Sequence, residues 1–153
     1  MTDKLLPPEK RTAVWKTIDH AARQGQFVLP VCEQCDAIQY PPREICHNCL
    51  HDGLQWQEIT SAGEIIASTA LNASTSAFFR EHLPHPVALI KLDAGPLVYA
   101  HLARTELKTG DRVELVNRCD INGRGVFIAL SAGGTEVIQA ESLRAMLSEQ
   151  RTN

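Results

Sequence analysis

Aromatic side chains are scarce in this chain: two Trp, two Tyr and four Phe among 153 residues. Proteins that track single-stranded nucleic acid stack bases on such rings inside a cationic groove, and the cations are missing as well. Lys and Arg number 15 against 18 Asp and Glu, a net charge of −3. Residues 1–60 carry 6 basic and 8 acidic side chains and residues 61–153 carry 9 and 10, so neither half is basic. Phosphate-backbone affinity scales with the number of phosphates neutralised, which makes nucleic acid an unfavoured partner. No apolar run approaches the roughly 20 residues that span a bilayer. Residues 1–8 also lack the apolar stretch of an export signal. A cytoplasmic location with no membrane partner is expected.

Catalytic signatures are absent too. There is no glycine-rich phosphate loop ending in lysine, no G-x-G-x-x-G after a strand, and no G-x-S-x-G elbow. Cys119 lies between Arg118 and Asp120 with no histidine base nearby in sequence, so a structural or incidental thiol is expected there. His101, beside Tyr99 in a strand-like run, reads as a packed histidine. No acid–base pair emerges, and no catalytic residue is expected on this chain.

What is present is a cysteine pattern. Cys32-Glu33-Gln34-Cys35 is followed after ten residues by Cys46-His47-Asn48-Cys49. Two residues between paired cysteines let both sulfurs reach one ion from a tight turn, and two such knuckles face to face make a four-sulfur tetrahedral site. The same donor set accepts zinc or iron. Iron would make the chain a one-electron carrier, but such carriers rarely need a further hundred residues of strand-like sequence, so structural zinc is expected on Cys32, Cys35, Cys46 and Cys49. Four thiolates and one divalent ion would take the net charge to about −5, and Arg43 in the spacer is placed to offset this. His47 and His51 flank the second knuckle as surface or supporting residues, His47 being the one able to replace a sulfur.

The flanking sequence suggests a helix, then a barrel. Pro8 fits a first helical position, Gly25 a C-terminal cap, and Val14, Ile18, Ala21 and Ala22 recur at helical spacing. The stripe is thin, so the helix either packs on the ribbon or docks on another chain through Trp15. Strand-like runs then cover residues 63–71, 86–92, 97–102, 113–116 and 126–130, with turns at Asp93-Ala94-Gly95-Pro96 and Asn122-Gly123-Arg124-Gly125. Five closely spaced strands with no crossover helix indicate a small antiparallel barrel, of which the oligonucleotide/oligosaccharide-binding (OB) fold is the five-stranded form. The long connection 72–84 carries Phe78, Phe79, Arg80 and His82. It is expected as a surface excursion tucked in by its two phenylalanines, with a grip on a nucleotide-like group as the alternative. Residues 141–150 read as a tail helix whose apolar face needs a cover. The fold class is therefore mainly β: N-terminal helical segment 1–26, ribbon 27–58, OB barrel 59–135 and helical tail 136–153.

The leading helix with Trp15, the ribbon Cys32-x-x-Cys35…Pro41-Pro42-Arg43…Cys46-x-x-Cys49, Leu92-Asp93-Ala94-Gly95-Pro96 and Gly110-Asp111-Arg112-Val113 together resemble one family over about residues 10–132. It is the acyl-CoA-associated family with a rubredoxin-like zinc ribbon and an OB domain, formerly domain of unknown function 35. Asp36 stands where many members have glycine and His47 where proline is frequent, and the tail extends past the usual family end. The resemblance implies a non-catalytic accessory subunit in a hetero-oligomer with a thiolase-fold enzyme, an acyltransferase or a retro-aldolase. Its OB domain would help form the partner's site for a coenzyme A thioester. Arg80, Arg104 and Arg124 are candidates to meet the phosphates of acyl-CoA. The readings from other classes are a single-stranded nucleic-acid binder and an iron-binding electron carrier.

Overall fold

The computed structural model describes residues 5–8, 11–133 and 137–147. A single 3-10 turn, Ala13–Trp15, runs into helix α1, Lys16–Arg23. Strands β1 (Val28–Cys32) and β2 (Leu54–Glu58) pair antiparallel and carry the cysteine knuckles between them. Five longer strands follow: β3 (Ala62–Leu71), β4 (His85–Leu92), β5 (Leu97–Leu102), β6 (Arg112–Cys119) and β7 (Gly125–Ser131). A short helix α2 (Ala77–Glu81) interrupts the β3–β4 connection, and α3 (Glu141–Met146) ends the described chain. The five strands close in the order β3-β4-β5-β7-β6. All neighbours are antiparallel except β5 and β7, which pair parallel at His101↔Ile128 and Leu102↔Ala129. This is OB topology, and closure removes most of the sheet edge.

Local chemistry sets the turns. Gly95 (φ +127) and Gly123 (φ +76) supply the left-handed positions of the β4–β5 and β6–β7 hairpins. The first hairpin is braced by Arg112, which grips both oxygens of Asp93, Nη1 to Oδ1 at 2.9 Å. In the second, Asp120 Oδ1 accepts from the backbone N–H groups of Asn122 (2.8 Å) and Arg124 (2.9 Å).

The helix begins later than Pro8 implies. Residues 5–8 are not helical and Thr12 is extended (φ −69°, ψ 158°). The arm is tied to the barrel instead: Asn122 Nδ2 donates to the Pro7 carbonyl at 2.7 Å, and Arg11 Nη1 to the Gly125 carbonyl at 2.7 Å. Gly25 (φ +68) does cap α1, with Gln26 N–H returning to the Ala21 carbonyl at 3.0 Å.

Helix α1 packs mainly on β6 and β7 of its own barrel and to a lesser extent on β1 of the ribbon. Ile18 is fully buried, worth about 1.5–3 kcal/mol as a transferred side chain. It shares one core with Phe27 and Leu29 of the ribbon and with Ile65, Ile90, Leu115 and Phe127 of the barrel. Trp15 sits edge-on to Tyr40 at 6.0 Å. A second cluster joins Phe78 of α2, Leu143 and Met146 of α3, and Val126 and Ile128 of β7. The excursion 72–84 is thus tucked in by Phe78, and the tail helix finds its cover on its own chain. Leu147 leaves the helix to bridge Asp120; the part of the expected tail beyond it lies outside the described residues.

Three side chains weld α1 to the barrel. Buried Asn117 donates from Nδ2 to the carbonyls of Ile18 (3.0 Å) and Gln26 (3.1 Å). Asp19 Oδ1 accepts from Gly125 N–H at 2.8 Å and from Arg11 Nη1 at 3.0 Å. Gly125 makes the close approach possible, since a Cβ there would stand 2.7 Å from the Ile18 carbonyl and 2.9 Å from Asn117 Oδ1. Gly125→Ala is expected to lower unfolding stability by about 1–3 kcal/mol through overpacking, read as a shifted denaturant midpoint at unchanged slope. An unchanged midpoint would show that α1 does not need this contact.

Candidate metal centre

The first knuckle opens where β1 ends. Cys32 N–H bonds the Ala37 carbonyl at 3.0 Å and Gln39 N–H bonds the Pro30 carbonyl at 3.0 Å, so the chain doubles back just after Cys35. The second knuckle repeats the device, with Cys46 N–H on the His51 carbonyl at 2.8 Å. Each turn closes with the residue after its second cysteine in left-handed conformation: Asp36 (φ +57) and Leu50 (φ +63). Their N–H groups return to the Cys32 and Cys46 carbonyls at 3.0 and 3.1 Å. For residues other than glycine the left-handed region costs about 1–2 kcal/mol, a cost both knuckles bear.

The four sulfurs, Cys32, Cys35, Cys46 and Cys49, lie within 4.8 Å of one another, with Cys32 and Cys46 fully buried. This separation suits four ligands about one tetrahedral ion with metal–sulfur bonds of about 2.3 Å. Asn48 donates to two of them, its backbone N–H to Cys46 Sγ at 3.4 Å and its side-chain amide to Cys35 Sγ at 3.5 Å. The Asn48 amide, with the Ala37 backbone, pulls the Cys35 thiol down to about 6. Cys49 is pushed up to about 12: the His51 backbone opposes this, and burial with the three neighbouring sulfurs outweighs it. Four thiolates this close repel until a cation sits among them. The donor set is closed, so a bound zinc would hold structure and leave no position for substrate.

Gln39 is the residue the cysteine spacing does not announce. Buried to 1% exposure, it donates to the Ile45 carbonyl at 3.0 Å and the Arg43 carbonyl at 3.5 Å. It accepts from His47 N–H at 2.8 Å. Its Oε1 lies 3.1 Å from His47 Nδ1, so His47 braces the spacer and stands outside the sulfur set. Arg43 is exposed and contributes its carbonyl here.

The three arginines stand on three connections. Arg80 is in α2 and donates to the Thr75 carbonyl at 2.9 Å; Arg104 follows β5, 3.7 Å from Glu106; Arg124 is in the β6–β7 turn. Cys119 is half-buried and its thiol is pushed up, first by burial, which suits an unreactive sulfur.

A buried polar line also crosses the barrel wall. Ser142 Oγ of α3 lies 2.7 Å from His85 Nδ1, and His85 Nε2 lies 2.7 Å from His101 Nδ1. Burial drives His85 down to about 4. His101 falls to about 3, first through burial, then through His85 and Arg11. Both rings are neutral at pH 7.

Residues 19–55 match the model of the ChsH2 rubredoxin-like zinc ribbon domain, and residues 56–118 that of the ChsH2 C-terminal OB-fold domain. A DUF35 domain-containing scaffold protein of Pyrococcus furiosus is 33% identical over 114 residues, 72% of this chain and 80% of the relative. The chain belongs to the DUF35 family. A scaffold protein of the same description from Methanothermobacter thermautotrophicus is 27% identical over 111 residues, 70% of this chain and 83% of that one. Among solved structures, a chain of the Ltp2-ChsH2(DUF35) aldolase superposes with a TM-score of 0.68 at 20% identity. The match covers 82% of this DUF35 chain and 99% of the other, a likeness of fold.

Supporting hydrogen bonds around metal ligands commonly carry 10–100-fold in metal affinity. Gln39→Ala is therefore expected to raise the rate of zinc loss to a chelator by about tenfold or more, with the four cysteines intact; an unchanged rate would remove Gln39 from the centre. The histidines set a separate expectation. The unfolded chain takes up protons near pH 6.5 while the folded rings resist until about 4 and 3. Between those values the unfolded state binds more protons, so stability rises with pH and is lost on acidification below about 6.5. The fall in Tm from pH 7 to 4.5 should be shallower in His85→Gln than in the unaltered chain, and parallel slopes would contradict it.

Proposed function

We propose that this DUF35 protein is the non-catalytic subunit of a thiolase-fold enzyme, cytoplasmic, and that it completes the partner's site for an acyl-CoA thioester. The observation that carries the reading is kinship to proteins described as scaffolds. Two features support it: the fold likeness to the chain of an aldolase complex, and the absence of an acid–base or nucleophile set among the described residues. In this reading zinc on the four cysteines fixes the ribbon, and ribbon and helix together present a rigid surface to the larger subunit.

The barrel supplies the wall. OB barrels bind ligands through their strand 2–3 face and their first and last hairpin connections. In this chain those connections are β3–β4, with Arg80, and β6–β7, with Arg124. Arg104 stands on the β5–β6 connection. Charge-assisted hydrogen bonds from these guanidinium groups would hold phosphates of CoA. Enclosing a thioester between two subunits excludes water, which strengthens electrostatics at the reacting carbonyl and limits hydrolysis. Either bond formation or retro-aldol cleavage fits this role.

Co-expression with a thiolase-type enzyme should yield a stable complex whose activity needs this chain, while the chain alone turns over no acyl-CoA. In that complex, replacing Arg80, Arg104 and Arg124 together by Ala should raise KM for the thioester about tenfold, equivalent to about 1.4 kcal/mol, without dissociating the subunits. A partner that is fully active without this chain would overturn the reading. An unchanged KM would remove the three arginines from it.

A further inference from the structure

A cavity of about 320 Å³ opens where the N-terminal arm, the ribbon and the barrel meet. Its size is that of a small-molecule site. Trp15, Tyr40, Tyr99 and Phe127 contribute its aromatic walls, and Arg11 and His101 its polar groups. Among the described residues no acidic side chain lines it.

The two polar groups are held from behind. Arg11 spends Nη1 on Asp19 (3.0 Å) and on the Gly125 carbonyl (2.7 Å), and its guanidinium lies 5.0 Å from the Trp15 ring centre. Its Nη2 and Nε make no hydrogen bond to a described residue. His101 uses Nδ1 on His85, leaving Nε2 with no bond to a described residue. His85 is buried to 2% exposure with both ring nitrogens engaged. A neutral imidazole donates from one nitrogen and accepts at the other. If the Ser142 hydroxyl donates to His85 Nδ1, then His85 donates from Nε2 to His101 Nδ1. His101 must then carry its proton on Nε2, as a donor toward the cavity.

We propose that the Ser142 hydroxyl donates to His85 Nδ1, which puts the His101 proton on Nε2, and that this cavity binds a small aryl carboxylate held by the Nη2 and Nε donors of Arg11 and by that His101 N–H. With Nη1 spent on Asp19 and Gly125, three of the five guanidinium N–H donors, on Nη2 and Nε, make no bond to a described residue, and since Asp19 already pairs the charge it is this donor fork that selects a carboxylate. A planar carboxylate accepts from such a fork and from one further N–H. The ring would stack among Trp15, Tyr40 and Tyr99. Tyr40 is itself buried enough to hold its phenol up to about 12, so it stays neutral beside the anion. None of this depends on the partner enzyme or on CoA.

The probe is benzoate, titrated into the zinc-loaded full chain labelled with ¹⁵N. Saturable shifts are expected at the Trp15 indole and the His101 ring, and long-range ring spectra should show His85 and His101 both protonated on Nε2. Benzyl alcohol, of the same shape without the charge, should bind at least tenfold more weakly. His101→Phe keeps a ring but loses the donor and should weaken benzoate severalfold. Arg11→Gln should weaken it at least tenfold; because Arg11 also ties the arm to Asp19 and Gly125, the Trp15 signals report whether the arm stays docked. Ser142→Ala, which does not line the cavity, should change the ring tautomer signature and weaken benzoate. Equal affinity for benzyl alcohol, undiminished binding by His101→Phe, shifts spread over surface arginines, or inorganic phosphate binding as well as benzoate at Trp15 would each overturn the proposal.

Discussion

Between the end of β1 and the start of β2 the chain has few apolar side chains to fold around, Ile38 and Tyr40 reaching the edge of the main core. In that stretch only Gln39, Pro42 and Cys46 are buried, so the ribbon's shape rests on four sulfurs brought within 4.8 Å. A segment this poor in core gains its folding free energy from the ion its ligands share. The consequence reaches past the ribbon. Phe27 and Leu29, on or next to β1, enter the same core as Ile18 and Phe127, and Phe27 meets Phe127 at 4.7 Å between ring centres. A fixed ribbon therefore means a fixed corner of the barrel.

Helix α1 meets that corner from the other side, and its attachment is polar as much as apolar. Asn117 bonds one carbonyl inside the helix and one just beyond it, and Asp19 bonds the backbone of β7 at Gly125. These bonds are directional, so they set the helix's register on the barrel where the thin stripe of Ile18, Ala21 and Ala22 alone would permit sliding. Buried polar groups of this kind are costly unless satisfied. Asn117 Oδ1 is the one buried side-chain oxygen or nitrogen among the described residues with no partner. It faces the position where a side chain on Gly125 would stand, so glycine there relieves two conflicts at once.

What could be read before folding was whatever acts over short sequence distance. A Cys-x-x-Cys turn brings its two sulfurs together by itself, so the spacing sufficed for Cys32, Cys35, Cys46 and Cys49. The hairpins at Asp93–Pro96 and Asn122–Gly125 are written in their turn residues, and the short apolar runs between turn residues mark the five strands. The helix start was misplaced because Pro8 satisfies a local rule while the arm obeys a distant one, the bonds of Asn122 and Arg11. Gln39, Asn117 and the Ser142–His85–His101 line were invisible for the same reason. Their meaning lies in partners that only the closed barrel and the folded spacer deliver, and a lone Gln, Asn or His carries no periodic signal.

The buried polar residues hold elements of the fold to one another. Of the five buried polar residues among those described, four sit at a join, Gln39 between the knuckles, Asn117 between helix and barrel, His85 and Ser142 between barrel wall and tail helix, while Asp120 closes the β6–β7 turn. None of them faces another in the arrangement that acid–base chemistry requires, a nucleophile beside a base that a third group orients. His85 comes nearest, with Ser142 on one nitrogen and His101 on the other, but both rings are depressed so far that neither would hold a proton at neutral pH to donate as an acid. As bases they would be weak, since a low conjugate-acid pKa means little affinity for the proton. Such a line serves to fix hydrogen-bond direction.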